Sequence, residues 1–280
     1  MKIRFLGTAA AEGVPALFCN CDFCKYANSV RGKEIRTRSQ AIVDDKLLID
    51  FPPDTFYHKI NNNLHLSGVS TLIITHSHGD HLAPSELTKR GYPYSKNMRE
   101  DVLDVYANEK SLSLIKEELK FENEKEINDA FTLSVAKAFE SFVTRDGYKV
   151  TPLKAYHYLT ENALVYLIEK DDKCILYCND TGILKEESLN FLKGYKGKID
   201  FASFDCTMGV NSVGDKGTHM GIDDVKVLDD KLRDMGVYKV GAKKVITHFS
   251  HNNLLPFEKM QEKANNYGFI VAYDGIEFEI

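Results

Sequence analysis

The stretch that decides the fold is Thr75-His76-Ser77-His78-Gly79-Asp80-His81, which follows the apolar run Val69-Ser70-Thr71-Leu72-Ile73-Ile74. This order predicts a buried strand that delivers metal-binding side chains into a turn. Side chains two apart on extended backbone share a side, so His76 and His78 are placed to bind one metal ion. Asp80 and His81 lie beyond the turn and can face a neighbouring site. Imidazole and carboxylate ligands favour zinc, manganese or iron over calcium.

The order His-x-His-x-Asp-His resembles the metallo-β-lactamase superfamily and is more specific than a polar loop rich in histidine, which is the alternative. The resemblance implies an α/β (α+β) fold, a four-layer αββα sandwich with a dinuclear metal centre at one edge of the paired sheets. The family places a later His, Asp and His at strand ends, and His157, Asp180 and His248 fit those places. Taken singly, each of the three also fits a turn or capping residue.

By this resemblance, two catalytic divalent metals, zinc or manganese, share one set of ligands. The first metal would be bound by His76, His78 and His157, the second by Asp80, His81 and His248, and Asp180 would bridge them. Such a pair lowers the pKa of a shared water and neutralises substrate oxygens. This chemistry suits a phosphodiester, but equally a lactam, thioester or lactone. Asp50, which ends Leu47-Leu48-Ile49, is expected either to orient the ligand loop or to be a turn carboxylate.

Composition fits an ordinary enzyme. The chain has 280 residues, with 36 basic against 41 acidic side chains and a net charge of −5. No Lys/Arg block stands out, which argues against a polyanion such as tRNA as the main substrate. No apolar run approaches the ~20 residues of a membrane helix, and the N-terminus alternates like a strand rather than a signal peptide. We therefore expect a soluble, cytoplasmic protein without a membrane partner, whose oligomeric state is open, a homodimer being one option.

The six cysteines form two groups. Cys174, Cys178 and Cys206 lie in apolar strand segments and fit small buried hydrophobes. The other three, Cys19, Cys21 and Cys24, form Cys-x-Cys-x-x-Cys in a predicted turn, where metal is favoured over a redox or merely buried cluster. Structural zinc takes four ligands, so a fourth partner is needed. His251 is the candidate, because residues three apart on extended backbone point to opposite sides and His248 would face the catalytic pair.

This second metal site narrows the resemblance. A Cys-x-Cys-x-x-Cys after the first strand, with His-x-x-His near the C-terminus, is similar to the phosphoribosyl cyclic phosphate phosphodiesterases of the carbon–phosphorus lyase pathway. The resemblance extends from Leu6-Gly7-Thr8 through the His76 motif to Val271-Ala272-Tyr273-Asp274-Gly275. In that family, the cysteines and the second late His hold one structural zinc. The pyrroloquinoline quinone synthesis protein B has a similar knuckle, so the knuckle marks a branch and not a substrate.

The resemblance also implies a general acid. His219, in Gly217-Thr218-His219-Met220-Gly221, matches a histidine that protonates the leaving oxygen, although an exposed helix-entry histidine is the alternative. With Asp80 and Asp180, His219 completes the predicted catalytic residues. The predicted function is hydrolysis of a small, in particular cyclic, phosphate ester by a metal-bridging hydroxide. The alternatives are a ribonuclease Z-like or other hydrolase of this fold and a non-catalytic binding protein of cofactor biosynthesis.

Strand and helix signals alternate along a single predicted domain, residues 1–280, with the zinc knuckle near residues 19–24. A charge-rich segment at 110–128 is expected to be a solvated helix and loop. Tyr92 and Tyr94 are candidates for a substrate wall or for packing, and His58 and His65 for structural or surface roles. Strands are predicted near 2–7, 39–50, 69–75, 103–107, 131–139, 148–156, 163–169, 174–179, 199–205, 243–247 and 269–280, and helices near 54–62, 84–90, 110–119, 185–193, 223–235 and 254–266.

Overall fold

The computed structural model describes residues 1–122, 129–158 and 160–280, which form fourteen strands and seven α-helices. The strands are β1 Lys2–Gly7, β2 Gln40–Val43, β3 Leu47–Ile49, β4 Thr71–Ile73, β5 Leu103–Ala107, β6 Phe131–Val135, β7 Phe142–Val143, β8 Lys149–Lys154, β9 Leu164–Lys170, β10 Lys173–Cys178, β11 Ile199–Asp205, β12 Tyr238–Thr247, β13 Ile270–Val271 and β14 Glu277–Glu279. The helices are α1 Asp22–Val30, α2 Thr55–Asn61, α3 Pro84–Leu87, α4 Glu109–Glu122, α5 Glu186–Gly194, α6 Ile222–Asp234 and α7 Phe257–Asn265.

The strands form two seven-stranded mixed sheets. The first has the order β14-β1-β2-β3-β4-β5-β6 and is parallel from β3 to β6; the second has the order β13-β12-β11-β10-β9-β8-β7 and is parallel from β13 to β10. The carboxyl ends of parallel neighbours meet at one edge of a sheet. The loops after β3, β4 and β5 therefore lie together, as do those after β10, β11 and β12.

The buried side chains separate into three layers of core. One lies between the sheets, where Phe5 packs against Tyr177 and Phe201 with ring centroids 6.5 and 6.2 Å apart. A second lies between the second sheet and α5, α6 and α7, and a third lies between the first sheet and α3 and α4. The two sheets are thus sandwiched between helical layers, which confirms the predicted αββα architecture.

The helix predicted at 223–235 illustrates why the pattern succeeds. Val225, Leu228 and Leu232 recur at helical spacing and are fully buried on the second sheet. Gly236 follows the last turn with φ of +66°, a left-handed conformation that glycine adopts without a Cβ clash. The helix therefore stops where the sequence places its cap.

Several predicted boundaries were wrong. Residues 39–50 form a hairpin of β2 and β3, because Asp44 and Asp45 turn the chain with positive φ. The last strand signal divides into β13 and β14, which join different sheets, and the helix near 84–90 is the single turn α3. The short strand β7 had no prediction. The charge-rich segment forms α4, and its predicted continuation over residues 123–128 lies outside the described residues.

Candidate metal centre

Four connections bring seven predicted ligand residues to one edge of the sandwich. His76, His78, Asp80 and His81 follow β4; Asp180 follows β10; His248 follows β12. His157 was predicted to end a strand reaching residue 156, but β8 stops at Lys154 and His157 lies in the following loop. The strand β8 runs in the same direction as β10, because each is antiparallel to β9. All four connections therefore open toward the same edge.

The side chains form two groups that share Asp180. In the first, His76 Nε2 lies 3.1 Å from Asp180 Oδ2, His157 Nδ1 lies 3.3 Å from Asp180 Oδ1, and His157 Nε2 lies 3.1 Å from His78 Nδ1. One donor atom from each of the four residues lies within 4.8 Å of the others. This group contains the set predicted for the first metal.

The second group contains Asp80, His81, Asp180 and His248, again with donor atoms within 4.8 Å of one another. His81 Nε2 lies 3.2 Å from Asp80 Oδ2, 3.0 Å from Asp180 Oδ2 and 3.2 Å from His248 Nε2. All four residues are buried. Asp180 is the member common to both groups, as a bridging carboxylate must be.

The donor geometry fits two cations. Among the described residues, His76 Nε2 and Asp180 Oδ1 have no hydrogen-bond partner of acceptable direction, although both are buried and charged neighbours lie about 3 Å away. Buried polar atoms without a partner are costly, and imidazole pairs facing each other nitrogen to nitrogen gain little from one another. A cation between these lone pairs satisfies them. The mixed imidazole and carboxylate set suits zinc or manganese.

Electrostatics prepares Asp180 as an anionic ligand. Burial alone would raise the pKa of its carboxyl, but the neighbouring His248 and His76 hold that pKa well below its usual range. Burial lowers the pKa of His157 to about 4, and burial likewise lowers the pKa of His78. A neutral imidazole and an ionised carboxylate are the protonation states that bind a metal.

Asp50 supports the ligand loop from β3. Its Oδ2 accepts from His81 Nδ1 at 2.7 Å, and its Oδ1 accepts from the Thr75 backbone N–H at 2.7 Å. Asp50 therefore fixes which nitrogen of His81 faces the metal group. This arrangement agrees with the ligand-orienting prediction rather than with the turn-carboxylate alternative.

His219 lies beside both groups. Its Nδ1 is 3.1 Å from Asp180 Oδ1 and 3.0 Å from Asp205 Oδ2, and its side chain is 27% exposed. Burial lowers the pKa of His219, but the Asp205 carboxylate outweighs burial and raises that pKa to about 9. The structure thus places His219 at the metal groups with its Nδ1 occupied, and not at an exposed helix entry.

Sequence reasoning missed Asp205. This residue ends β11, is fully buried, and accepts from the Thr207 and Met220 backbone N–H groups, both at 3.0 Å. Thr207 Oγ1 in turn lies 2.8 Å from His248 Nδ1. The available signal was an acidic residue at the carboxyl end of an apolar segment, the same signal that marked Asp180.

The predicted cysteine group assembles apart from these residues. Cys19 Sγ and Cys21 Sγ lie 3.7 and 3.5 Å from His251 Nδ1, and Cys24 completes a group of four donors within 4.8 Å. Bonds of about 2.3 Å to sulfur and 2.0 Å to nitrogen at tetrahedral angles imply an S···N separation of about 3.6 Å. Two of the S···N separations in the knuckle therefore match those expected around one zinc ion.

The protonation of the knuckle also fits a metal. The Cys24 backbone N–H and His251 lower the pKa of Cys21 to about 6, whereas burial raises the pKa of Cys24 to about 11. A nearby cation lets such a buried thiol ionise. The predicted turn was wrong in one respect: Cys21 is the N-cap of α1, and Cys24 lies in its first turn.

Other predicted candidates lie elsewhere. His58 is buried and bonds Thr37 and Gln40, whereas His65 is exposed. Tyr94 lines a cavity of about 420 Å³ beside α2 and α3, on the helical side of the first sheet. Apolar side chains line this cavity together with polar and charged ones, among them the basic Lys59, Lys89, Arg90 and Lys96. It lacks the clustered metal donors, so the chemistry identifies the metal groups as the site.

With this geometry in place, the chain can be compared with known proteins. The family model described as Anti-Pycsar protein Apyc1 matches residues 39–270. A curated relative, Coenzyme PQQ synthesis protein B of Methylobacterium radiotolerans, is 28% identical over 117 residues, which cover 37% of this chain and 39% of the relative. The match thus spans about two fifths of that relative.

Solved structures resemble the whole chain. A diphosphatase from the PhnP family has a TM-score of 0.73 and 24% identity, and the match covers 100% of this chain and 97% of the diphosphatase chain. Zinc-bound PqqB of Methylobacterium extorquens has a TM-score of 0.73 and 19% identity, covering 100% of both chains. The metallo-β-lactamase fold protein YhfI of Bacillus subtilis has a TM-score of 0.67 and 13% identity, covering 99% of both. The predicted metallo-β-lactamase fold is confirmed. Within the described residues, no helix is long and apolar enough to span a bilayer.

Proposed function

This chain belongs to the family described as Anti-Pycsar protein Apyc1, and we propose that it is a dinuclear metal-dependent phosphodiesterase. Its substrate is a small, in particular cyclic, phosphate ester. One observation carries the proposal: two donor groups have Asp180 in common, and His219, whose Nδ1 is held by Asp205, lies beside them. A metal pair beside a positioned proton donor is the equipment that hydrolysis of an alkyl phosphodiester requires.

The residues that hold the proposed metals follow from the two groups. His76, His78 and His157 would hold one ion, Asp80, His81 and His248 would hold the other, and Asp180, which belongs to both groups, would be shared by the two ions. When bound, two divalent cations supply a water of lowered pKa and neutralise charge on the phosphate oxygens. Zinc or manganese is the expected metal pair, and a further zinc is expected at Cys19, Cys21, Cys24 and His251.

His219 is the proposed general acid. Because Nδ1 donates to Asp205, Nε2 is the ring atom left to give a proton to the leaving oxygen. Asp205 is itself fixed by Thr207 and Met220, so the imidazole is held in one tautomer and one orientation. Proton donation matters because an alkoxide is a poor leaving group until it is protonated.

Two rival functions make different predictions. A ribonuclease Z-like enzyme would act on an RNA polyanion, for which a chain of net charge −5 without a basic block is poorly suited. A carrier of cofactor biosynthesis would bind ligand without turnover and would need neither a bridging carboxylate nor a proton donor. We accordingly expect a small-molecule substrate and no nucleic-acid or membrane partner, while a homodimer stays one option for the assembly.

Turnover of bis(p-nitrophenyl) phosphate tests the proposal. We expect activity that EDTA abolishes and manganese restores. A panel of 2′,3′-cyclic nucleotides and ribosyl cyclic phosphates then ranks natural ester classes by kcat/KM. Metal binding without hydrolysis of any phosphodiester would favour the carrier, and preferred cleavage of a tRNA precursor would favour the ribonuclease.

A further inference from the structure

We propose that Glu161 is a positioning residue that holds the two loops supplying the first metal's histidines in register across the two sheets. The proposal rests on the metal centre in the proposed function. His76 and His78 lie on the loop after β4 in the first sheet, whereas His157 lies on the loop after β8 in the second. Three ligands drawn from two sheets can share one ion only if the loops keep a fixed separation. Glu161 spans that separation.

The contacts of Glu161 are directed at the residue between the two histidines. Ser77 Oγ donates to Glu161 Oε1 at 2.7 Å, and the Ser77 backbone N–H donates to Oε2 at 3.1 Å. Ser77 is the single residue between the ligands His76 and His78. A carboxylate that accepts from both the side chain and the backbone of Ser77 fixes the path of the ligand loop at its centre.

Asn108 anchors the same carboxylate to the scaffold. This buried residue follows β5, and its Oδ1 accepts from the Ser111 N–H in the first turn of α4 at 2.8 Å. Its Nδ2 donates to Glu161 Oε2 at 2.8 Å and to the Asn162 carbonyl at 3.0 Å. The loop that carries His157 is thereby tied to the first sheet at two adjacent residues.

Glu161 acts on the first metal more than on the second. Asp50 holds the second metal's His81 through its Nδ1 and holds the start of the loop through the Thr75 N–H, whereas Glu161 holds the segment between His76 and His78 and has no part in the His81 bond. The sheets also remain joined without Glu161, because the Leu164 N–H donates to the Thr75 carbonyl and Tyr166 Oη donates to the Ile74 carbonyl, at 2.9 and 2.6 Å. Removing Glu161 should therefore loosen one ligand set and leave the fold intact.

The test is a metal titration of the full chain after chelation. Manganese binding is measured by calorimetry for wild type, Glu161→Gln, Glu161→Ala and Ser77→Ala, with the exposed Glu140→Gln as a matched carboxylate control. Partners outside the ligand shell typically contribute ~10–100-fold in metal affinity. We expect one of two exchangeable ions to bind roughly tenfold or more weakly in both Glu161 variants. Ser77→Ala should have a smaller effect, because the backbone N–H bond remains. Zinc in the knuckle and the Tm of the chelated protein should match wild type.

A double-mutant cycle assigns the weakened site. In a His248→Ala background the remaining first ion should still lose affinity on Glu161→Gln, whereas in a His78→Ala background no further loss should occur. Unchanged affinities in the Glu161 variants would overturn the proposal, as would equal weakening of both ions together with a lower Tm. If Glu161→Ala fails to fold, Glu161→Gln and Ser77→Ala decide it alone. Wild-type protein that binds no exchangeable manganese would instead refute the metal centre itself.

Discussion

The proposed chemistry is tested most directly by His219→Ala on two esters whose leaving groups differ. An alkoxide needs a proton as the P–O bond breaks, whereas p-nitrophenolate leaves without one. General acid catalysis contributes typically ~10²–10⁴-fold, or ~3–5 kcal/mol of barrier at ~1.4 kcal/mol per tenfold. We therefore expect a loss of about a hundredfold or more on a 2′,3′-cyclic nucleotide and much less on bis(p-nitrophenyl) phosphate. Asp205 keeps its bonds from Thr207 and Met220, so the fold should survive the substitution.

The assay measures kcat for both esters and the metal content of the same sample. The exposed His65→Ala is the control and should change neither rate. Asp205→Asn should show the same dependence on the leaving group, because Asp205 holds the His219 ring. Its metal content is measured as well, because Asp205 also holds Thr207, which contacts His248. Equal losses on both esters would refute the general-acid role and indicate phosphate binding. Loss of a metal would make His219 a ligand, which its distance to the Asp180, Asp205 and His248 donors allows sterically.

Three further changes test the metal sites and one partly buried carboxyl. Asp180→Ala should lose both exchangeable metals and several orders of magnitude in turnover while circular dichroism stays native; near-normal turnover with two metals would show that Asp180 is not the bridge. Cys21→Ser should lose the tight zinc and lower the Tm more than it lowers turnover by the remaining folded protein; full zinc content and an unchanged Tm would contradict the knuckle. Burial raises the pKa of Asp274 to about 6 despite hydrogen bonds from Thr37 and Thr8. The folded state then binds the proton more tightly than the unfolded state, so the free energy of unfolding should fall by about 2 kcal/mol as pH rises from 4 to 7. In denaturant titrations across this pH range, the free energy of unfolding of Asp274→Asn should lack that decrease. An equal change with pH in the variant and in wild type would contradict the assignment to Asp274.

The sequence predicts the first half of the site because its ligands are local. His76, His78, Asp80 and His81 lie within six residues after one strand. Strand alternation pairs His76 with His78, and the turn at Gly79 sets Asp80 and His81 apart. His157, Asp180 and His248 carry no comparable local signal. Their assignment depended on resemblance to a family that places ligands at later strand ends. The element pattern was similarly reliable where an amphipathic period was long, as in α6, and less so for short strands.

The residues that the sequence did not predict act through tertiary contacts. Asp205 reaches His219 across 14 residues through the connection that follows β11, and it reaches His248 across 43 residues because β11 and β12 are parallel neighbours. Glu161 reaches Ser77 across 84 residues and two sheets. The intervals that separate Asp205 and Glu161 from their partners follow neither helix nor strand periodicity, because the intervening loops set their lengths. The helix α1 has no predicted counterpart, because the Cys-x-Cys-x-x-Cys spacing predicts a metal-binding turn over the residues that begin this helix.

Three residues of the site have left-handed backbone conformations at the edge of the sandwich where the strands end. Asp50 and His248 directly follow a strand, and Asp180 lies two residues after one; their φ angles are +65°, +62° and +53°, respectively. Left-handed conformations of residues other than glycine cost of order 1–3 kcal/mol each, somewhat less for Asp and His, which adopt them more readily. An asparagine or glycine would relieve that strain but would remove the carboxylate or imidazole. The donor groups thus occupy positions where the backbone disfavours them, and in the proposed function the binding of two cations to the folded state would offset this cost. Strain and ligand chemistry therefore point to the same three strand ends.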